Sequence, residues 1–100
     1  MKLENVDGFY PSVCLTKDVT HFVWEAKVAD AAKYGVFYAN LTADGKLSEP
    51  VRVSGTVRYA EVPNISVRGS NIVVVFQSKK PNGKVEIHYM KSSDGGKTWA

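Results

Sequence analysis

The chain has 100 residues, of which 44% are hydrophobic and 23% are charged, and its formal net charge is +3. This composition is typical of one soluble globular domain and excludes a disordered tail or a collagen-like fibre. The thirteen Lys and Arg residues are scattered among ten acidic residues, which argues against a nucleic-acid partner. No apolar run approaches the ~20 residues of a membrane span, so we expect no membrane partner. Residues 1–5 contain no apolar stretch that could serve as a signal peptide, and the sequence identifies no compartment.

Short runs rich in β-branched and aromatic residues, each bounded by Gly, Pro, Asn, Asp or Ser, predict an all-β chain. The Ala-rich segment 25–33 is the one helical candidate, and we interpret it as the longer loop of a hairpin. Asn82-Gly83 predicts a tight hairpin turn, because a primed turn needs positive φ at both of its central residues. The predicted strands cover residues 10–15, 20–24, 34–39, 51–53, 62–67, 72–76 and 84–89.

The two halves of the chain repeat each other. Residues 10–26 align with 62–78 at a shift of 52, and residues 36–48 align with 87–99 at a shift of 51. The repeat unit is about fifty residues long and carries strands in the order A, B, C, D, which is the content of one four-stranded propeller blade. Strand B of the second copy, residues 72–76, is apolar at every position and should therefore be covered on both faces, as stacked blades would provide.

Residues 92–99 read SSDGGKTW and fit the pattern S-x-D-x-G-x-T-W at every fixed position. This segment resembles the Asp-box of bacterial neuraminidase-type (BNR) repeats, which occur in sialidases and related β-propellers. The first copy, residues 41–48, keeps only the glycine of the pattern, Gly45. The resemblance covers residues 10–99 and implies two blades with a structural turn between strands C and D, on the face away from the active site; the alternative is a ligand or metal site at Asp94. The turn residues are Ser92, Asp94, Gly96, Thr98 and Trp99.

The chain departs from the sialidase pattern where that family carries its catalytic groups. The family carries a catalytic arginine on strand A, in an Arg-Ile-Pro motif. The matching triplet of the second copy here is Glu61-Val62-Pro63, so a glutamate stands in place of the arginine, and the first copy has Phe9 at the same position. A sialidase also needs three converging arginines with a tyrosine–glutamate nucleophile pair, whereas Arg52, Arg58 and Arg68 occupy unmatched places. We therefore predict no catalytic residue and consider an enzyme the less favoured interpretation. Neither a metal nor another cofactor is expected, because His21, His88 and Cys14 lack metal-ligand spacing.

In a propeller, the D-to-A connections and the B–C hairpin tips build the mouth of the central channel. Here these segments are residues 5–10, 25–34, 55–62 and 77–84. Their aromatic faces beside charged and amide groups suit a sugar, which offers C–H faces and hydroxyl rims. The alternative is that these residues pack around the axis. The candidate ligand-binding residues are Arg58, Tyr59, Glu61, Phe9, Glu25 and Gln77.

Two blades share one interface, so each outer face would leave an apolar sheet in water. We divide the chain into residues 1–55, an N-terminal strand plus blade 1, and residues 56–100, blade 2 without its own outer strand. Residues 1–5 are predicted to supply that outer strand to a neighbouring chain, in a head-to-tail contact that can close into a ring. Three chains would give six blades, the number of a sialidase-like propeller; four chains, giving eight, rank second.

The sequence therefore favours a non-enzymatic binding or scaffold module of the BNR-propeller type, with itself as partner and carbohydrate as the most plausible ligand class. The alternatives are a fragment of a sialidase-like glycoside hydrolase whose catalytic residues lie elsewhere, and an engineered or reconstructed repeat unit that self-assembles into a propeller.

Overall fold

The computed structural model describes residues 2–3 and 7–100. This part of the chain is all-β, and it contains no helix long and apolar enough to cross a membrane. The strands form two antiparallel sheets, a first sheet of order β1-β2-β3-β4 and a second sheet of order β5-β6-β7. The strands are β1 (Phe9–Leu15), β2 (Val19–Lys27), β3 (Tyr34–Thr42), β4 (Val51–Arg52), β5 (Ala60–Arg68), β6 (Asn71–Lys79) and β7 (Val85–Ser92).

All seven predicted strands are present, and most extend beyond the predicted bounds. The Ala-rich segment 25–33 is a hairpin connection, as interpreted from the sequence: its first three residues continue β2 and the rest form the loop to β3. In this loop the amide of Val28 donates to the carbonyl of Lys33 at 3.0 Å, which closes the hairpin.

The β6–β7 turn differs from the predicted two-residue primed turn. The connection from β6 to β7 comprises the five residues 80–84, and among them only Gly83 has positive φ, at 83°. The amide of Gly83 donates to the carbonyl of Lys80 at 2.9 Å, and the amide of Lys80 donates to the carbonyl of Lys84 at 2.8 Å. Asn82 accepts a hydrogen bond from the Lys84 amide through its side chain at 3.0 Å instead of adopting positive φ. The predicted hairpin at Asn82-Gly83 is therefore confirmed, whereas the positive φ expected at Asn82 is wrong.

The repeat seen in the sequence has a counterpart in the backbone. The β1–β2 pairing shifts register between Phe9 and Ser12, and the β5–β6 pairing shifts between Glu61 and Asn64. In each bulge one non-glycine residue has a φ of 50°, Tyr10 in the first sheet and Val62 in the second. Tyr10 and Val62 are 52 positions apart, which is the sequence shift, so both sheets carry the same irregularity at the same aligned position.

The two sheets pack face to face, and the core lies between them. Alternation along each strand decides which side chains enter this core, because successive residues of a strand point to opposite faces. On β6, for example, Ile72, Val74 and Phe76 are buried, whereas Val75 between them is exposed. The buried cluster comprises Val23, Val36, Tyr38, Val53, Ala60, Ile65, Ile72, Val74 and Phe76.

The face of each sheet that points away from this core carries exposed apolar side chains. On the outer face of the first sheet, Val13 is 52% exposed and Leu15 is 75% exposed. On the outer face of the second sheet, Val75, Ile87 and Tyr89 are 39%, 71% and 63% exposed. The apolar run on β6 is therefore covered on one face only within the described part of the chain. The predicted exchanged strand, residues 1–5, falls largely outside the described residues.

Candidate functional site

A groove of about 350 Å³ opens at one end of the second sheet. Three features meet there: the connection from β4 to β5, the β6–β7 hairpin, and the first part of β7. The groove is lined by Val57, Arg58, Tyr59, Ser78, Lys79, Lys80, Pro81, Glu86 and His88.

Tyr59 is held in place from the first sheet. Its amide donates to the carbonyl of Ala32 in the β2–β3 loop at 2.8 Å, and its ring lies 5.9 Å from the ring of Tyr34. The φ of Tyr59 is 51°, in the left-handed region that side chains other than glycine rarely adopt. Such backbone strain persists where surrounding contacts fix the conformation, and it is common at ligand sites. These contacts bring the β2–β3 loop and the β4–β5 connection together at the groove.

Arg58 is fixed by its backbone, and its side chain is exposed. The hydroxyl of Ser78 on β6 donates to the carbonyl of Arg58 at 2.6 Å. The guanidinium carbon of Arg58 lies 5.8 Å from the centroid of the Tyr59 ring, within the range of a cation–π contact. One wall of the groove therefore presents a cation next to an aromatic face.

The opposite wall carries an ion pair and a stacked imidazole. Lys80 Nζ lies 2.9 Å from Glu86 Oε2, and His88 Nε2 lies 3.5 Å from Glu86 Oε1. The hydrogen bond from Lys80 is the main cause that lowers the pKa of the Glu86 carboxyl. The His88 ring stacks on Phe76 with centroids 5.6 Å apart. With Arg58 and Lys79 also present, the cationic side chains of the groove outnumber its one carboxylate.

The structure brings together two of the six candidate residues in this groove, Arg58 and Tyr59. Glu61 and Gln77 face each other across the β5–β6 pair, before the bulge. Glu25 is buried, and its Oε1 accepts a hydrogen bond from the Val62 amide at 2.9 Å. Phe9 is the cross-strand partner of Glu25 in the β1–β2 pair, and it lines a small pocket with residues 7–8 and 26–27.

The site predicted from the sequence does not include four residues of the groove, which are Lys79, Lys80, Glu86 and His88. Lys79 and Lys80 lie within the segment 77–84 that was expected at the mouth, so their position was available as a signal. Glu86 and His88 point into the groove because they alternate with Ile87 on β7, and the register that fixes this face depends on the pairing with β6.

The Asp-box turn, residues 92–99, satisfies its own polar groups. Asp94 Oδ1 accepts from the amides of Lys97 and Thr98 at 3.1 and 2.9 Å, and Oδ2 accepts from the Thr98 hydroxyl at 2.5 Å. The Ser92 hydroxyl donates to Asp94 Oδ1 at 2.7 Å and accepts from the Gly96 amide at 2.9 Å. These donors, the Thr98 hydroxyl first among them, hold the pKa of Asp94 far below its usual range. Both carboxylate oxygens are thus engaged within the turn.

The Asp-box turn also joins the second sheet to the first. The Trp99 ring meets the Tyr38 ring edge-on at 5.0 Å, and a Cβ added to Gly96 would lie 2.5 Å from the same tyrosine ring. The Tyr38 hydroxyl is hydrogen-bonded to His21 Nδ1 at 2.7 Å. A glycine is required at position 96 both by this close approach and by its φ of 97°.

The turn and the groove lie at opposite ends of the second sheet. The Gly95 amide donates to the carbonyl of Ser70, which immediately precedes β6, at 2.9 Å. The other end of β6 is Lys79, which lines the groove. Nine residues of extended strand separate these ends by about 26 Å.

The arginines are dispersed. Arg52 Nη1 lies 2.5 Å from Asp30 Oδ2 in an ion pair at the edge of the first sheet. Arg58 precedes β5, whereas Arg68 ends it, so these two lie at opposite ends of that strand. Across residues 2–3 and 7–100, no three His, Cys, Asp or Glu side chains are grouped in a way that could hold a metal ion.

Comparison of the chain with protein-family models, with curated proteins and with solved structures finds no match. The functional interpretation therefore depends on the residues and geometry described above.

Proposed function

We propose that the chain is a non-enzymatic binding and scaffold module of the BNR-propeller type, with a carbohydrate bound in the groove around Arg58 and Tyr59. The observation that supports this most directly is the position of the groove. It is formed by segments expected at a propeller mouth, and it lies about 26 Å from the Asp-box turn at the other end of β6.

The side chains of the groove suit an acidic sugar. The Tyr59 ring offers a flat apolar face for the C–H groups of a pyranose. Arg58, Lys79 and Lys80 offer charged donors, and Glu86 offsets only part of their charge. A sugar that carries a carboxylate or a sulfate would add charge-assisted hydrogen bonds to these cations.

The arrangement of acids and arginines favours binding over hydrolysis. Arg52 is paired with Asp30, and Arg58 and Arg68 lie at opposite ends of β5, so the three do not surround one carboxylate. Glu25 is buried and accepts from the Val62 amide, which leaves it poorly placed to attack a sugar.

In the proposed assembly each sheet is one propeller blade, and further copies of the chain cover the outer faces. The exposed apolar side chains Leu15, Ile87 and Tyr89 support this arrangement, because large exposed apolar patches usually mark interaction surfaces. Three copies would supply six blades and four copies eight, and we favour the homotrimer.

The carbohydrate proposal can be tested by glycan binding with matched variants. The wild type should bind acidic glycans more tightly than neutral ones, and added salt should weaken that preference. Tyr59→Ala should weaken binding by about tenfold or more, equivalent to about 1.4 kcal/mol, with the melting temperature within a few degrees of wild type. Lys79→Ala should weaken acidic-glycan binding, whereas Lys17→Ala, in the β1–β2 turn, should leave it unchanged.

Two results would contradict the carbohydrate proposal. One is the absence of binding to any glycan on a broad array at millimolar monomer concentration. The other is binding that Tyr59→Ala and Lys79→Ala leave intact, because the sugar would then lie elsewhere. Turnover of a fluorogenic sialoside by the purified chain would instead support the sialidase-like alternative.

A further inference from the structure

The interface between the two sheets gives a template for the contact between copies. In the first sheet, the core-facing residues Val23, Val36 and Tyr38 are buried against the second sheet. The repeat aligns these three positions with Val75, Ile87 and Tyr89, all on the exposed outer face of the second sheet. The outer face of the second sheet therefore carries the same apolar pattern as the inner face of the first.

The reverse correspondence holds for the other outer face. Ile65, Val67 and Val74 pack in or against the core from the second sheet. They align with Val13, Leu15 and Phe22, which share the outer face of the first sheet. The apolar residues of the two sides of the internal interface therefore have aligned counterparts on the outer faces of the same copy, one side on each face.

Two polar and steric details follow the same alignment. Across the internal interface, Glu25 Oε1 accepts from the Val62 amide in the β5 bulge. The aligned residues are Gln77, which keeps a side-chain acceptor oxygen, and Tyr10, whose φ of 50° equals that of Val62. Gln77 of one copy is therefore suited to accept from the Tyr10 amide of another.

The second detail is the space beside a turn glycine. The Tyr38 ring fills the space next to Gly96, where a Cβ would lie 2.5 Å from the ring. The aligned pair is Tyr89 and Gly45, and among residues 2–3 and 7–100 no atom other than those of its chain neighbours lies within 4 Å of a Cβ added to Gly45. Gly45 has a φ of 85°, close to the 97° of Gly96, so the two glycines have similar left-handed backbone conformations.

We propose that the outer face of the second sheet binds the outer face of the first sheet of a second copy, with Tyr89 over Gly45 and Gln77 accepting from the Tyr10 amide. This inference rests on the assembly proposed above and specifies its contacts. Because the two faces are different, the contact is heterologous and each copy can bind one neighbour on each side. A repeated contact of this kind closes when the rotation between copies allows, and three copies would complete six blades.

Sedimentation of two blocked variants and their mixture tests the heterologous contact. Val13→Lys blocks the outer face of the first sheet, and Tyr89→Lys blocks that of the second; both positions are exposed in the single chain, so each variant should fold. Each alone should sediment as a monomer at micromolar concentration. The equimolar mixture should form a heterodimer and stop there, because only one pair of intact faces remains. Ala29→Lys, in the exposed β2–β3 loop, should assemble as the wild type does.

The outcomes separate this inference from the broader proposal. A folded wild-type monomer would overturn both. A wild-type oligomer that persists in Val13→Lys and Tyr89→Lys, or a mixture that stays monomeric, would overturn only the heterologous contact. Circular dichroism of each variant shows whether it has folded, and Leu15→Lys and Ile87→Lys serve as a second blocked pair if the first does not fold.

Two conservative substitutions test the specific contacts. Tyr89→Phe keeps the ring over Gly45 and should assemble at wild-type concentrations, whereas Tyr89→Ala should raise the concentration needed for assembly at least several-fold. Gln77→Glu keeps an acceptor oxygen and should retain assembly, whereas Gln77→Leu should weaken it. Equal assembly by Gln77→Leu and wild type would exclude the Gln77–Tyr10 hydrogen bond.

Discussion

At the scale of single residues, two carboxylates of this chain are placed in opposite environments. Glu25 is buried between the sheets, and burial is the main cause that raises its pKa above 4.5, with the nearby charge of Glu61 acting in the same direction. Asp94 is surrounded by hydrogen-bond donors of its own turn, and these lower its pKa. Acid should therefore affect the two sites in opposite directions.

The wild type should lose stability as the pH rises and Glu25 ionises. Glu25→Gln should abolish this dependence on pH. The pKa of Glu25 is higher in the folded than in the unfolded state. The contribution of Glu25 to the free energy of unfolding is therefore fully present below pH 4.5, and it is lost as the pH rises through the pKa of the folded state. Glutamine cannot ionise but still accepts from the Val62 amide. Urea unfolding at several pH values should show the variant at least as stable as wild type at pH 7, with a flatter profile above pH 4.5. Equal destabilisation at every pH would contradict this account.

Asp94→Ala should destabilise the fold without affecting the groove. The variant loses the acceptor for the Lys97 and Thr98 amides, so its melting temperature should fall by several degrees. Because the pKa of Asp94 is lower in the folded state, the stability that the ionised Asp94 adds to the wild type is present above pH 3.8. This stability is lost as the pH falls below 3.8. Thermal melts at pH 7 and pH 3 should therefore differ more for wild type than for the variant. A stable Asp94→Ala protein with impaired glycan binding would place the ligand at the turn.

At the scale of elements, Tyr38 on β3 connects the first sheet to the Asp-box turn. Its hydroxyl hydrogen-bonds to His21 Nδ1 and accepts from Asn40 Nδ2 at 3.2 Å, while its ring packs against Trp99. The sequence places Tyr38 on strand C, but its contact with Trp99 could not be inferred, because Trp99 is 61 positions away along the chain. Contacts between distant strands thus determine the interface of the two sheets.

Tyr38→Phe should destabilise the protein by about 1–3 kcal/mol, because it leaves the buried His21 without its partner while keeping the ring. The matched control is Tyr89→Phe, at the aligned and exposed position of the second sheet, which should change the free energy of unfolding by less than about 0.5 kcal/mol. Denaturant unfolding measures both. Equal losses would mean that the hydroxyl of Tyr38 adds nothing to the interface.

The strands and the repeat were predictable because hydrophobic alternation and turn residues are local signals. The bulges at Tyr10 and Val62 were not, since a left-handed φ at a non-glycine residue depends on the surrounding sheet. The groove was predicted in part: Arg58 and Tyr59 follow from the position of their connection along the chain. Glu86 and His88 do not, because the register of β7 decides which face they occupy.

At the scale of the whole molecule, two sheets share one buried face and leave two apolar faces exposed. The internal repeat aligns apolar positions of these exposed faces with apolar positions on the two sides of the buried interface, and the proposed contact between copies rests on this alignment. A single chain cannot bring its own two outer faces together, because they lie on opposite sides of the sheet pair. In the proposed assembly, additional copies of the chain would cover these faces.

The mass of the full chain in solution, by native mass spectrometry at micromolar concentration, tests this central claim most directly. Three chains of 11.0 kDa give about 33 kDa, the mass that the account predicts, and four chains would give the second-ranked ring of about 44 kDa. A cooperatively folded monomer of 11.0 kDa would contradict the account, because both apolar outer faces would then be stable in water.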